Sequence, residues 1–223
     1  NKAKAYYTYS SKIEKEKGKK HLDKGFLEEL KHKIWSTKGT RFEADTRLKT
    51  IAKYSTLSIS FLSAYLIIFG LVSVYNLYNP NAIDENVIAF TITTLSILVL
   101  VFSLIENAQN YPVKAKNFHD CALDLADLYN ELQNYKSYEE NASEEDKMKF
   151  CNKLQKEYQN ILRRYENHYP IDNNKFRIKF PDYYKVKWYN WIWTHFLYFV
   201  NTRFIYITMM LIPGIILYFV VIK

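Results

Sequence analysis

Three stretches of this chain, residues 54–75, 87–105 and 204–222, contain no charged side chain over 22, 19 and 19 residues. About 20 residues at roughly 1.5 Å rise cross a hydrocarbon core of about 30 Å, so each reaches the length of a membrane span. Helices of a soluble bundle, the competing reading, normally carry a charged stripe. These carry none. The chain-wide mean hydropathy of −0.29 hides the three runs, because it averages them with very polar segments. The first run begins after residue 50, so it is expected to act as its own insertion signal.

Charge around the runs sets an expected orientation. Lys and Arg number 15 in residues 1–53, none in 76–86, 15 in 106–203 and one, Lys223, after the last run. Segments rich in Lys and Arg beside a span stay in the cytoplasm. The loop 76–86 holds only Asp84 and Glu85 and is expected outside. The amino terminus and the long middle segment are then cytoplasmic and the carboxyl terminus is outside, in a multi-pass protein of the cell inner membrane. Cys121 and Cys151 would sit in a reducing compartment, where a disulfide is disfavoured. The Asn141 sequon would be on the wrong side for glycosylation, and Ser143 is better used as a helix cap with Asp146 at N3.

Periodicity organises the polar segments. Ala115, Phe118, Ala122, Leu125, Tyr129 and Leu132 share one helical face, and Cys151, Leu154, Tyr158, Ile161, Tyr165 and His168 share another. With the polar stretch 137–146 between them they read as an antiparallel helical hairpin. Cys121 and Cys151 would stand some 18 Å apart along it at roughly 1.5 Å per residue, too far to share a metal or a disulfide. Leu27, Leu30, Ile34, Ala44, Leu48 and Ile51 predict a helix running into the first span, bent or interrupted near Gly39. Residues 1–25 form a basic polar tail too poor in apolar side chains for a core.

The expected fold is all-α and integral to the membrane. Its segments are the tail 1–25, a pre-membrane helix 26–53, a transmembrane hairpin 54–110, a cytoplasmic helical hairpin 111–182, an interfacial aromatic and basic helix 183–203, and a third transmembrane helix 204–223. In the interfacial segment Trp188, Trp191 and Trp193 suit the headgroup layer, with aromatic packing against the cytoplasmic helices as the competing reading.

Two sets of residues resemble the SLATT superfamily of bacterial membrane modules: Trp35, Lys38, Arg41, Phe42, Ala44, Arg47 and Leu48 before the hairpin, and Lys114, Ala115, Phe118, His119, Cys121, Ala122 and Leu125 after it. The likeness covers roughly residues 30–170, with the third span beyond the two-span plan. The resemblance implies an effector of anti-phage conflict systems, associated with second-messenger nucleotidyltransferases and SLOG domains and in some cases with reverse transcriptases. The implied trigger is a second-messenger nucleotide, a separate sensor or synthase protein, or a reverse-transcriptase complex. The pre-membrane cations would pin the helix at the inner leaflet or pair with a carboxylate such as Glu106 or Asp120 as a latch.

Hydroxyls recur along the first two spans. Thr56, Ser60, Ser63, Ile67 and Gly70 form one small stripe, and Ala89, Thr93, Ser96, Leu100 and Ser103 another. Such stripes let helices pack closely, or they line water in a pore built from several chains. Ser55, Ser58, Thr91 and Thr94 lie off both stripes. Glu106 and Arg203, at the inner edges, are candidates for a charged gate, with snorkelling to the interface as the plainer role. No Gly-rich phosphate loop, nucleophile triad or ligand cluster stands out, so no catalytic residue, cofactor or metal is expected. The expected function is a homo-oligomeric membrane effector that permeabilises or depolarises the membrane and causes abortive infection. The alternative is a non-conducting membrane anchor whose cytoplasmic helices dock a partner.

Overall fold

The computed structural model describes residues 25–76, 84–139 and 142–222, and all its regular elements are helical. The basic tail 1–24, most of the acidic loop, Asn141 and Lys223 lie outside the described residues. In chain order the helices are α1 (Phe26–Asn76), α2 (Glu85–Ala108), α3 (Tyr111–Tyr138), α4 (Glu144–Arg164), α5 (Pro170–Arg177), the short α6 (Pro181–Tyr184), α7 (Trp188–Phe199), a π-helical turn (Val200–Phe204) and α8 (Ile205–Ile222). Three helical stretches are long and apolar enough to cross a membrane: Phe26–Val74, Glu85–Tyr138 and Trp188–Ile216. The chain is thus an all-α protein with the makings of a membrane fold.

It divides into two compact units. A polar unit comprises the residues up to Arg47 and Val113–Tyr198, and an apolar unit comprises Leu48–Pro112 and the residues from Phe199 onward. In the polar unit Leu30 and Ile34 of α1, Cys121, Leu125, Leu128 and Leu132 of α3, and Leu154 and Ile161 of α4 make one buried cluster. The predicted α3–α4 hairpin therefore has a third partner, the first half of α1. Ser143 caps α4 as its sequence position suggests, its Oγ accepting the Asp146 amide at 3.1 Å. Asp84 does the same for α2, accepting the Asn86 amide at 2.8 Å. Between α2 and α3, Asn110 takes a left-handed conformation at φ 51°, which stops one helix before the next begins.

Two expectations about helix breaks are corrected. The first helix is not interrupted at Gly39, because α1 runs unbroken for 51 residues. Glycine is there for space: a Cβ would stand 1.9 Å from the ring of Phe176, itself buried. That close approach offsets the roughly 0.5–1 kcal/mol a mid-helix glycine costs relative to alanine. The interfacial helix and the third span, expected as separate segments, are also joined without a break. Residues from Trp188 to Ile222 stay helical, and the chain widens by one π-turn at Val200–Phe204 without leaving the helix.

Gly39→Val should lower the stability of the polar unit by roughly 1–3 kcal/mol, the usual cost of overpacking. Combining it with Phe176→Ala should recover part of that loss. Thermal unfolding of the detergent-solubilised protein, followed by circular dichroism, measures both.

Candidate functional site

The segment of α1 just before the apolar unit is the most heavily buried polar stretch of the molecule's described part. Thr40, Arg41, Glu43, Ala44, Asp45 and Arg47 are all buried. Four of these six are charged, so neighbouring elements must supply partners or the burial would cost several kcal/mol per ion. Arg47 donates through Nε to Asp172 Oδ1 at 2.7 Å and through Nη2 to Oδ2 at 3.2 Å, a two-pronged pair. Its guanidinium also lies 4.8 Å from the ring centre of Tyr169. Glu43 accepts a bond from Lys179, and Asp45 Oδ2 lies 3.3 Å from His119 Nδ1.

Asp172 is placed by local chain chemistry. Pro170 opens α5, where the missing amide hydrogen costs nothing, and Asp172 follows two residues later. Its Oδ2 accepts the Tyr169 amide at 3.0 Å, closing the first turn. The carboxylate, fully buried at 0 % exposure, is thus held by the helix start and by Arg47 together.

Arg41 is 1 % exposed and has no carboxylate bonded to it in the same way. Its Nη1 donates to the backbone oxygen of Glu166 and its Nη2 to Asn167 Oδ1 at 3.4 Å, while the guanidinium lies 5.4 Å from the Phe118 ring centre. His168 sits in the same neighbourhood with its Nδ1 buried and without a hydrogen-bond partner. Burial first, and then the nearby Arg41 charge, push His168 below the ordinary histidine range, against an opposing pull from Asp172. Cys121, packed in the core, has its thiol pushed up by burial, with Arg41 opposing. It is held as a neutral thiol.

Arg41 and Arg47 turn to acceptors in residues 166–172, and the carboxylate that Arg47 meets is Asp172, not the Glu106 or Asp120 expected from the sequence. Trp35 packs edge-on against Phe176 and Phe180 at centroid distances of 5.0 and 4.9 Å and lies parallel to Tyr184 at 6.4 Å. Phe42 meets the His119 ring at 5.6 Å, Phe118 and Ala122 are buried, and Lys38 lies over the Tyr129 ring. All the motif residues except Leu48, which begins the apolar unit, therefore lie in the polar unit. The indoles of Trp188, Trp191 and Trp193 are exposed, Trp188 at 75 %.

In the apolar unit the hydroxyl stripes face outward. Thr56, Ser60, Ala89, Thr93 and Ser96 are exposed, and Ser63, Gly70 and Ser103 are half-buried. Among the described residues nothing approaches within 4 Å of a Cβ built on Gly70. Thr56, Ser60, Ser63, Thr91, Thr93 and Ser96 each donate their hydroxyl to the carbonyl four residues earlier, at 2.7–3.0 Å. Ser55 and Ser58, off the stripes, are the buried pair, and Ser58 reaches the Tyr206 carbonyl at 3.1 Å. Tyr206 in turn donates its hydroxyl to Glu106 Oε2 at 3.0 Å, tying α8 to α2. Arg203 lies 5.7 Å from the Tyr54 ring centre. Glu106 and Arg203 are each engaged separately. Asp172, Glu43, Lys179 and Tyr206 were not singled out from the sequence, although the Pro170–Asp172 spacing is a readable helix start.

The class these features define is a helical membrane protein with a compact polar unit latched by ion pairs. Residues 23–219 match the family model described as SMODS and SLOG-associating 2TM effector domain family 5, and the chain belongs to that family. The match runs through the aromatic segment and most of α8, so the third span is part of the family domain and not an addition to it. No curated protein and no solved structure matches the chain.

Asp172→Asn should destabilise the polar unit by about 3–5 kcal/mol, the cost of leaving a buried charge without its partner. Adding Arg47→Met should restore part of it, measured by chemical denaturation in detergent. A second expectation concerns pH. The unfolded chain takes up the His168 proton near the ordinary value of about 6.5, before the folded chain does, so this group's stabilising contribution is present above pH 6.5 and lost as pH falls below it. His168→Gln should flatten that part of the stability profile.

Proposed function

We propose that this chain is a membrane effector of a bacterial anti-phage defence system, which assembles into an oligomer and permeabilises or depolarises the inner membrane when triggered. The observation that carries the reading is the outward placement of Thr56, Ser60, Thr93 and Ser96. Packing within one chain uses Ser55 and Ser58 and leaves that hydroxyl-bearing surface over. Since each of those hydroxyls is satisfied by its own helix, the surface tolerates hydrocarbon in a lone chain. It also suits a seam between chains or the wall of a water-filled path, where a hydroxyl's second bonding site is used. Several chains are needed, because one hairpin does not surround a channel.

In this reading the polar unit and the amino-terminal tail lie in the cytoplasm and the carboxyl terminus outside, following the Lys and Arg distribution. The family's description joins its members to SMODS and SLOG proteins. A separate synthase or sensor, its nucleotide product, or a reverse-transcriptase complex would deliver the trigger to the polar unit. Shifting a latched element by even a 99:1 reversal takes about 5.5 kcal/mol of differential binding, which is on the scale of a buried ion pair such as Arg47–Asp172.

Expression together with the neighbouring genes that supply the trigger should collapse the membrane potential and stop growth. Ser60→Leu with Thr93→Leu should bring the leak to background while cross-linking still recovers the oligomer. An unchanged potential, with the chain bound to a partner, would instead establish a non-conducting anchor.

A further inference from the structure

The apolar unit contains a half-open hollow of about 510 Å³. Leu62 and Phe69 of α1 form part of its wall, residues of α2 from Phe90 to Ile105 line one side, and Met209, Ile212, Pro213 and Ile216 of α8 line the other. No charged residue borders it, and the Thr91 hydroxyl is turned to its own helix, donating to the Val87 carbonyl at 2.7 Å. The two ties of α8, Ser58 to the Tyr206 carbonyl and the Tyr206 hydroxyl to Glu106, lie at one end, where Phe102 and Tyr206 also meet at a ring distance of 6.4 Å.

The dimensions choose between occupants. From Phe90 to Ile105 the helix rises roughly 22 Å, and a slot of that length and volume is about 8 Å across between its walls once the radius of a water molecule is added on each side. An α-helix with its side chains is about 10–12 Å across and is too wide for it. A hydrocarbon chain, about 4–5 Å thick given a carbon contact distance of roughly 3.5–4.0 Å, fits along the whole slot. The end of the unit that carries Ile105 also carries Lys49, Lys53 and Arg203, and its one carboxylate there, Glu106, accepts the Tyr206 hydroxyl. The Nε of Arg203 is buried without a hydrogen-bond partner. Asp84 and Glu85 are at the opposite end of α2. A negative headgroup is therefore favoured at the Arg203 end.

We infer that the slot between α2 and α8 is a binding site for one acyl chain of an anionic phospholipid, whose headgroup lies at the Arg203 end. The bound chain completes the packing of α8 against α2 beyond the Tyr206–Glu106 tie. This site does not depend on whether the protein conducts.

The test uses the full chain reconstituted in phosphatidylglycerol or phosphatidylcholine vesicles that contain a phospholipid with a photoactivatable group in its acyl chain. After irradiation, labelling of residues 95–98 and 209–212 should exceed several-fold that of Ile67 and Leu71, which are exposed on α1 outside the slot. The excess should be larger in phosphatidylglycerol, and Arg203→Gln should remove that headgroup preference. Leu98→Trp from one wall, or Ile212→Trp from the other, should abolish the excess and leave labelling at Ile67 and Leu71 unchanged. Equal labelling on all outward faces, or an excess that survives both tryptophans, would overturn the site. An excess indifferent to headgroup would overturn the anionic assignment. Leu98→Cys chains that cross-link efficiently through the slot would show that a second copy occupies it.

Discussion

Hydrocarbon gives a polar group no partner, and this chain is arranged around that constraint. Backbone donors and acceptors in the uncharged runs are satisfied within helices, the form that needs nothing from its surroundings. The same rule extends to side chains: six hydroxyls along α1 and α2 return to the carbonyl four residues back. Where a hydroxyl does reach another helix, as Ser58 and Tyr206 do, it is buried, and each such bond connects two spans. Both of these bonds between spans meet at Tyr206.

The polar unit answers the opposite problem, charge inside protein. Arg47 and Asp172 are both buried, and a buried pair of this kind adds little net stability compared with apolar side chains of similar size. Its contribution is to register. Asp172 accepts from both Arg47 and the Tyr169 amide, so the start of α5 is fixed against one turn of α1. Eight residues before Arg47 on α1, Gly39 does this by shape instead, leaving room for Phe176. Removing either device would let α5 slide or tilt relative to the helix that continues into the apolar unit.

Much of the fold was legible in the sequence, and what was not had a common cause. Uncharged length identifies a span and a 3.6-residue period identifies a helix face, both from neighbours in the chain, so the spans, α3, α4 and the Ser143 cap could be read directly. The inward face of each span could not. Thr56, Ser60 and Ser63 have the same kind of spacing as Ser55, Ser58 and Leu62, and one residue of rotation, about 100°, separates the two rows. Which row is buried depends on Tyr206, almost 150 residues away in the chain. Asp172 was missed for the same reason, because its partner is 125 residues distant. Gly39 misled by a different route: glycine in a helix signals either a bend or a close neighbour, and only the structure reveals Phe176. Of the site residues, the family motifs could be named but their partners could not.

The uncharged parts of α1, α2 and α8 have to stand in lipid for the apolar unit to be stable. Alkaline carbonate extraction of membranes from cells expressing the full chain tests this most directly. The account predicts that the protein stays with the sedimented bilayer and enters solution only with detergent. Release into the carbonate supernatant as a dispersed, folded species would contradict it, because the uncharged surfaces would then have found cover without lipid.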